Sequence, residues 1–323
     1  MSSPRVSVIV PVRDRADLLT KTLEGLAQQT YVDFEVVVID DGSKDPSADV
    51  ARSAGERGLN VRLVQTSGVG SVAARCTGIA EAAGEVLAFT DSDCVPEPGW
   101  LSAGVAAMDK GADVAQGNTL PERDIGPLER SIAHYANDGL FPTSNVFYTR
   151  DAYERAGGFD VEAAKRLGFR TTSGRALGFG EDTLLGWRVS REGENATVHD
   201  AVVRHAVLRP SVRELLWRAW LIGGFPELIR ECPELRSTVL SQGVFLGRRR
   251  LPLYAAIVLT AAGQRWLGAL TALGWAGLHG RTTLRQSGPL RRRMLAVPVE
   301  MAIDVISAVA LILGSIRTRS IVI

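Results

Sequence analysis

Four short segments of this 323-residue chain hold the residue types best suited to chemistry. Asp91 and Asp93 flank one serine at the end of the apolar run Val86–Asp91. Residues two apart in extended chain face the same side. Two carboxylates so placed can hold a divalent metal, since Mg²⁺ takes one or two carboxylates plus substrate phosphates; the same residues also suit a polar turn. Asp40-Asp41-Gly42-Ser43 offers carboxylates to a nucleotide base and ribose, or forms a tight Asp-Gly turn. Gly68-Val69-Gly70-Ser71-Val72-Ala73 imitates a dinucleotide fingerprint with Ala in the third glycine position. Bare glycine amides at a helix start can also cradle any diphosphate, with Arg75 one turn later as a cation. Glu181-Asp182 follows Gly178-Phe179-Gly180. Acidic residues favour a first helical turn on dipole grounds alone; as a functional group, Asp182 would be ionised at neutral pH and accept a proton from a hydroxyl. His205 ends the run Val202–His205, where an imidazole is a metal ligand or a packed residue. Cys94 reads as a small packed residue, and His134, His199 and His279 fall into no pattern.

These residues need a scaffold that brings them to one edge. Val6–Val12, Glu35–Asp40, Val61–Gln65 and Val86–Asp91 are strand-length apolar runs, alternating with helical patterns over Arg15–Gln29, from Asp45-Pro46, and over Ser71–Ala83. Continuous apolar runs predict strands buried on both faces, as in a parallel sheet covered by helices. Ligands of such sheets bind beyond the carboxyl ends of the strands. The carboxylates and glycines named above gather there. A strand near Asn145–Thr149, a turn at Gly157-Gly158, a helix from Glu181 and a strand near Val198–Arg204 follow, and the chain reads as helical beyond Pro210.

The formal net charge of +1 argues against an obligate nucleic-acid binder. The total is nonetheless divided. Residues 1–210 hold 22 Lys/Arg and 30 Asp/Glu, and residues 211–323 hold 15 Arg, no Lys and 6 Asp/Glu. Cys76, Cys94 and Cys232 match no disulfide or zinc spacing, so a reducing compartment is expected. Val6–Val12 is too short for a signal peptide and runs straight into Arg13-Asp14-Arg15.

Taken in order, VSVIVPVRDR at 6–15, FEVVVIDDGSKD at 34–45, GVGSVAARCTGI at 68–79, GEVLAFTDSDCVPEPGWL at 84–101, AGGFD at 156–160 and GFGEDTLLGWRV at 178–189 resemble the family 2 glycosyltransferases of GT-A fold. The resemblance covers about residues 5–205. It implies an α/β nucleotide-diphospho-sugar transferase fold with a Rossmann-like mixed sheet. It also implies a metal-dependent inverting transfer of one sugar from a nucleotide-sugar, with UDP the favoured carrier, to a hydroxyl acceptor. By that likeness Pro11 and Arg13 line the nucleotide pocket, and Asp40 and Asp41 read the base. Arg75 lies near the diphosphate, and Asp91 faces ribose or metal. Asp93 ligates Mg²⁺ or Mn²⁺, with His205 as a further ligand. Gly157, Gly158, Phe159, Asp160 and Glu181 shape the acceptor side, and Asp182 is the catalytic base. Two features depart from the family pattern. Cys76 stands where many members carry Asn. The Gln-x-x-Arg-Trp signature of processive synthases is absent, Leu216–Trp220 not supplying it, so one sugar is expected per encounter.

The tail adds a partner. Leu251–Gln264 is uncharged for 14 residues, Arg265 interrupts, and Trp266–Leu278 continues apolar; Met294–Ile316 contains Glu300 and Asp304. Neither stretch is a clean span of about 18 residues. Arg248–Arg250 and Arg291–Arg293 bracket the first, and four of the six Trp lie in residues 211–323. The expected organisation is a catalytic domain over 1–210, a helical linker over 211–247 and a membrane-binding region over 248–323. That region would be a hairpin or a set of interfacial helices at the cytoplasmic membrane face. The acceptor would then be lipid-linked or a cell-envelope glycan. A dinucleotide-dependent oxidoreductase is the alternative enzyme class, but its fingerprint follows the third strand and leaves Asp91, Asp93 and Asp182 unused. A membrane-anchored, non-catalytic nucleotide-sugar scaffold is the third reading.

Overall fold

A computed structural model describes residues 3–167, 169–170, 176–177 and 180–323. The chain forms two compact units, Met1–Glu122 with Ile132–Ala206, and Arg123–Ser131 with Val207–Ile323.

The first unit opens with β1 (Val6–Val12), α1 (Ala16–Ala27), β2 (Phe34–Asp40), α2 (Ser47–Glu56), β3 (Val61–Gln65), α3 (Ser71–Glu81) and β4 (Val86–Phe89). These four strands pair in parallel, in the order β3-β2-β1-β4. α1 covers one face because Leu19, Leu23 and Leu26 recur at helical spacing and are fully buried. Pro11 is tolerated inside a central strand because the β4 ladder ends at Ile9–Phe89, before the missing N–H matters. α2 begins one residue later than the sequence suggests, with Pro46 at the cap; the Asp45 carboxylate instead accepts from the N–H groups of Ser47 and Ala16.

Beyond β4 the sheet becomes mixed, as the family resemblance implied and the apolar runs alone did not. β5 (Cys94–Pro96), α4 (Trp100–Asp109), β6 (Val114–Pro121), β7 (Val146–Thr149), α5 (Arg150–Arg155), α6 (Val161–Leu167), β8 (Phe169–Arg170), β9 (Ala176–Leu177), α7 (Glu181–Glu192) and β10 (Asn195–His205) follow. The eight-stranded order is β3-β2-β1-β4-β7-β6-β10-β5, with β8 and β9 a separate ribbon. β7 runs antiparallel to both its neighbours and β5 antiparallel to β10, giving a mixed sheet. Trp100 is wholly buried against Phe147, and its Nε1–H donates to Asn145 Oδ1 at 2.8 Å.

The second unit is helical: α8 (Val212–Leu221), α9 (Phe225–Glu231), α10 (Leu235–Thr238), α11 (Leu251–Ala261), α12 (Arg265–Leu284) and α13 (Leu290–Thr318). Gly263, at φ +81°, turns the first apolar stretch into an α11–α12 hairpin. α13 is, among the described residues, the one helix long and apolar enough to cross a membrane by length and composition. Its Asp304 is buried: Oδ2 accepts from His279 Nε2 at 2.8 Å, with Arg249 at 3.9 Å and Arg250 at 4.0 Å. Segment 123–131 joins this unit through Glu129, whose carboxylate accepts from Arg123 at 2.7 Å and Arg209 at 2.8 Å. Those bonds, against the cost of burial, hold its pKa at about 2.

Candidate active site

The parallel strands β1, β2 and β4 end at one edge, and the loops after them are bonded to one another. The Asp14 N–H donates to Ser43 Oγ at 3.0 Å, and the Lys44 N–H to Asp14 Oδ1 at 2.6 Å. Asp41, 5% exposed, accepts from Thr66 Oγ1 at 2.6 Å, from the Val69 N–H at 2.7 Å and from the Gly70 N–H at 2.9 Å. Arg13 Nη1 lies 3.7 Å from it. Burial alone would raise its pKa, but these donors and the Arg13 charge hold it below the ordinary value. Two amides of the glycine turn are thus committed to Asp41, which removes them from the diphosphate cradle that the fingerprint suggested. Gly68 sits at φ +85°, a left-handed conformation that favours glycine. Asp40 accepts from the Ser43 N–H at 2.9 Å and from Gln65 Nε2 at 3.3 Å.

After β4 the chain turns, with the Cys94 N–H donating to the Asp91 carbonyl at 3.0 Å. The same-side argument for Asp91 and Asp93 therefore does not apply, because the backbone between them is a turn and not extended. The two carboxylates take different partners. Asp91 Oδ1 accepts from Arg75 Nη2 at 2.7 Å. Asp93, 6% exposed, bonds Arg15 and lies 3.6 Å from His205 Nε2. His205 is brought there by register, since it pairs directly with Cys94 across β10 and β5. His205 Nδ1 lies 2.7 Å from the Ala206 carbonyl, an acceptor only, so Nδ1 carries hydrogen and donates to it.

Asp93, Cys94 and His205 can each offer a ligand atom, all within 4.8 Å of one another. Burial and the neighbouring Asp91 and Asp93 push the Cys94 thiol well above its usual range, keeping it a protonated, poor ligand. The remaining oxygen and imidazole donors fit a divalent ion.

Arg75 is 7% exposed at its side chain and is centred among acids, with Nη1 3.9 Å from Glu181 Oε1. Glu181 and Asp182 open α7, which Gly180 enters in the left-handed region at φ +74° and which Leu184, Leu185 and Val189 anchor in the core. Burial, reinforced by Asp182, raises Glu181 to about 7; its Oε2 is buried with no hydrogen-bond partner among the described residues. Asp182 is half-buried, and its Oδ1 accepts from the Thr183 N–H at 2.8 Å. Burial raises it too, against the pull of Thr183, Arg75 and His134. His134, which the sequence left without a pattern, donates from Nδ1 to Asp138 at 3.0 Å, and Gln116 Nε2 donates to the same carboxylate at 2.7 Å.

The Gly157–Asp160 segment makes structural contacts. Gly158 O accepts from Arg188 at 2.7 Å, and Phe159 stacks edge-on to Phe89 at 5.5 Å and Tyr153 at 5.7 Å. Asp160 Oδ1 accepts from the Ala163 N–H at the start of α6. Gly178 and Phe179 lie outside the described residues.

The chain is 34% identical over 203 residues to glycosyltransferase AglE of Haloferax volcanii, spanning 56% of this chain and 66% of that one, just under two thirds of its length. Among solved structures, mannosyltransferase PcManGT of Pyrobaculum calidifontis, in complex with GDP-Man and Mn²⁺, superposes with a TM-score of 0.60 at 22% identity, over 95% of this chain and 88% of that one. S. aureus TarS 1-349 in complex with UDP-GlcNAc gives 0.52 at 16% identity, over 98% and 92%. At those identities the likeness is one of fold. Residues 7–173 match the sequence profile of glycosyl transferase family 2, and the chain belongs to that family.

Proposed function

We propose that the protein is an inverting, non-processive glycosyltransferase that moves one sugar from a nucleotide-sugar to a hydroxyl acceptor with Asp182 as general base. The observation that carries the reading is Asp182 itself: a half-buried carboxylate at the first turn of α7, with one oxygen fixed by the Thr183 N–H and its proton affinity raised by burial. Raised basicity suits a group that takes a proton from an attacking hydroxyl, a role worth on the order of 10²–10⁴-fold. Attack opposite the leaving group inverts the anomeric centre.

Asp93 and His205 are the residues that would hold a divalent cation, with Asp91 beside them. When bound, the cation would neutralise negative charge on the leaving nucleoside diphosphate. Asp40 at the end of β2 and Asp41 just beyond it, with Arg13 and Pro11 nearby, are assigned to the nucleoside; UDP is the favoured carrier by family likeness. Arg75 keeps Asp91 and Glu181 oriented beside Asp182.

The second unit is assigned to the membrane surface, with a lipid-linked or cell-envelope acceptor. Trp266 is 87% exposed, and Leu270 and Leu273 continue its stripe on α12; Val305, Val309, Leu313 and Ile316 do the same on α13. Arg265, Arg281, Arg285 and Arg291 are exposed beside these stripes and enter no ion pair among the described residues, which suits anionic headgroups. Asp304 lies midway along α13, with Arg249 and Glu300 paired at 3.6 Å beside it. A crossing helix would carry that charged group to the bilayer centre at a cost of several kcal/mol, so the surface-lying arrangement is favoured.

The test is a nucleotide-release screen across sugar nucleotides with membrane extract as acceptor and Asp182→Asn as the blank. Acceptor-dependent release by the wild type alone supports the reading. Equal release by both proteins contradicts it.

A further inference from the structure

Asp93 already has a cation on it. Its buried carboxylate bonds the guanidinium of Arg15, the residue that precedes α1. On another side stands His205, whose Nε2 lies 3.6 Å from the same carboxylate. The two partners differ in freedom. The His205 and Asp93 side chains are each 6% exposed and fixed by the sheet, whereas the Arg15 side chain is 38% exposed. Arg15 can therefore leave without disturbing the core, while the oxygen and imidazole donors remain in place.

We propose that Arg15 is a built-in competitor for the divalent cation: guanidinium and metal bind Asp93 in mutually exclusive states, so metal entry displaces Arg15. This rests on the assignment of Asp93 and His205 as metal ligands. The exchange breaks one ion pair, forms a metal–carboxylate bond and transfers no electron or proton. It makes the affinity for free metal low in the absence of donor. It also releases one guanidinium at the edge where the donor's phosphates would arrive.

Direct Mn²⁺ binding to the full chain without donor, read as loss of the free-ion electron spin resonance signal, tests the exchange. Arg15→Ala and Arg15→Gln should each tighten Mn²⁺ binding about tenfold, which is about 1.4 kcal/mol, and Arg15→Lys should stay near wild type. Asp93→Asn should abolish the site in every background. Unchanged or weaker binding in both Arg15→Ala and Arg15→Gln, with Asp93→Asn still abolishing it, overturns the competitor role alone. Unchanged binding in Asp93→Asn overturns the ligand assignment, and the competitor role with it. Arg15→Gln keeps much of the side-chain stem, so agreement between the two neutral variants separates the loss of charge from local disturbance.

Discussion

Arg75 Nη2 lies 2.7 Å from Asp91 Oδ1, and its Nη1 reaches to 3.9 Å from Glu181. The arginine that sequence comparison assigns to a diphosphate is thus the buried centre of a carboxylate cluster. Removing one partner of a buried ion pair leaves the others uncompensated and typically costs 3–5 kcal/mol. Arg75→Met should lower unfolding free energy by about that much in urea titrations and abolish transfer. A variant with wild-type stability would show that Arg75 does not hold these acids.

Glu181 carries a pH signature. Its folded pKa of about 7 exceeds the ordinary 4.5. Between those values the folded state binds more protons than the unfolded one, so stability falls as pH rises from about 4.5 to about 7 and levels off above. Glu181→Gln removes that dependence, and at pH 8 it should exceed the wild type by about 1–3 kcal/mol. Parallel pH profiles for the two proteins in urea unfolding would contradict the assignment.

The second unit makes a prediction about sidedness. Added to preformed vesicles, the full chain should sediment with anionic phosphatidylglycerol and not with neutral phosphatidylcholine, and Trp266→Asp should weaken that binding about tenfold. Ser287→Cys and Arg319→Cys flank α13. With the helix lying along the surface, both thiols should react with an impermeant maleimide added outside. Protection of one of them would mean that α13 crosses; failure to sediment at all would remove the membrane assignment.

The fully buried residue His279 is the partner of Asp304 at the middle of α13. His279→Ala should destabilise the protein by about 1–3 kcal/mol by removing the shortest hydrogen bond to the buried aspartate, measured as a lowered melting temperature. An unchanged melt would show that the Arg249 and Arg250 charges suffice.

Local signals made much of the first unit legible. The apolar runs gave β1 to β4 because a strand buried on both faces needs an uninterrupted apolar run, and the acidic and glycine turns gave the site edge. Asp41 and the glycine turn were visible as separate motifs, but not that the turn's amides bind the aspartate. What stayed hidden depends on pairing between distant segments. His205 meets Asp93 through the β5–β10 register, which no spacing between residues 93 and 205 encodes. Arg15 looked like one charge in a polar run, and its only sequence signal was its position just past a strand end. The antiparallel β7 was unreadable for the same reason, since strand direction is set by its neighbours. Segment 123–131 leaves the first unit through bonds from Arg123 and Arg209 to Glu129, again a tertiary matter.

The central claim is that Asp182 takes the proton from the acceptor. Donor binding and single-turnover transfer, measured side by side on wild type and Asp182→Asn, address it most directly. The account predicts donor affinity within about twofold of wild type and transfer slowed on the order of 10²–10⁴-fold. Unimpaired transfer by Asp182→Asn with intact donor binding would contradict it.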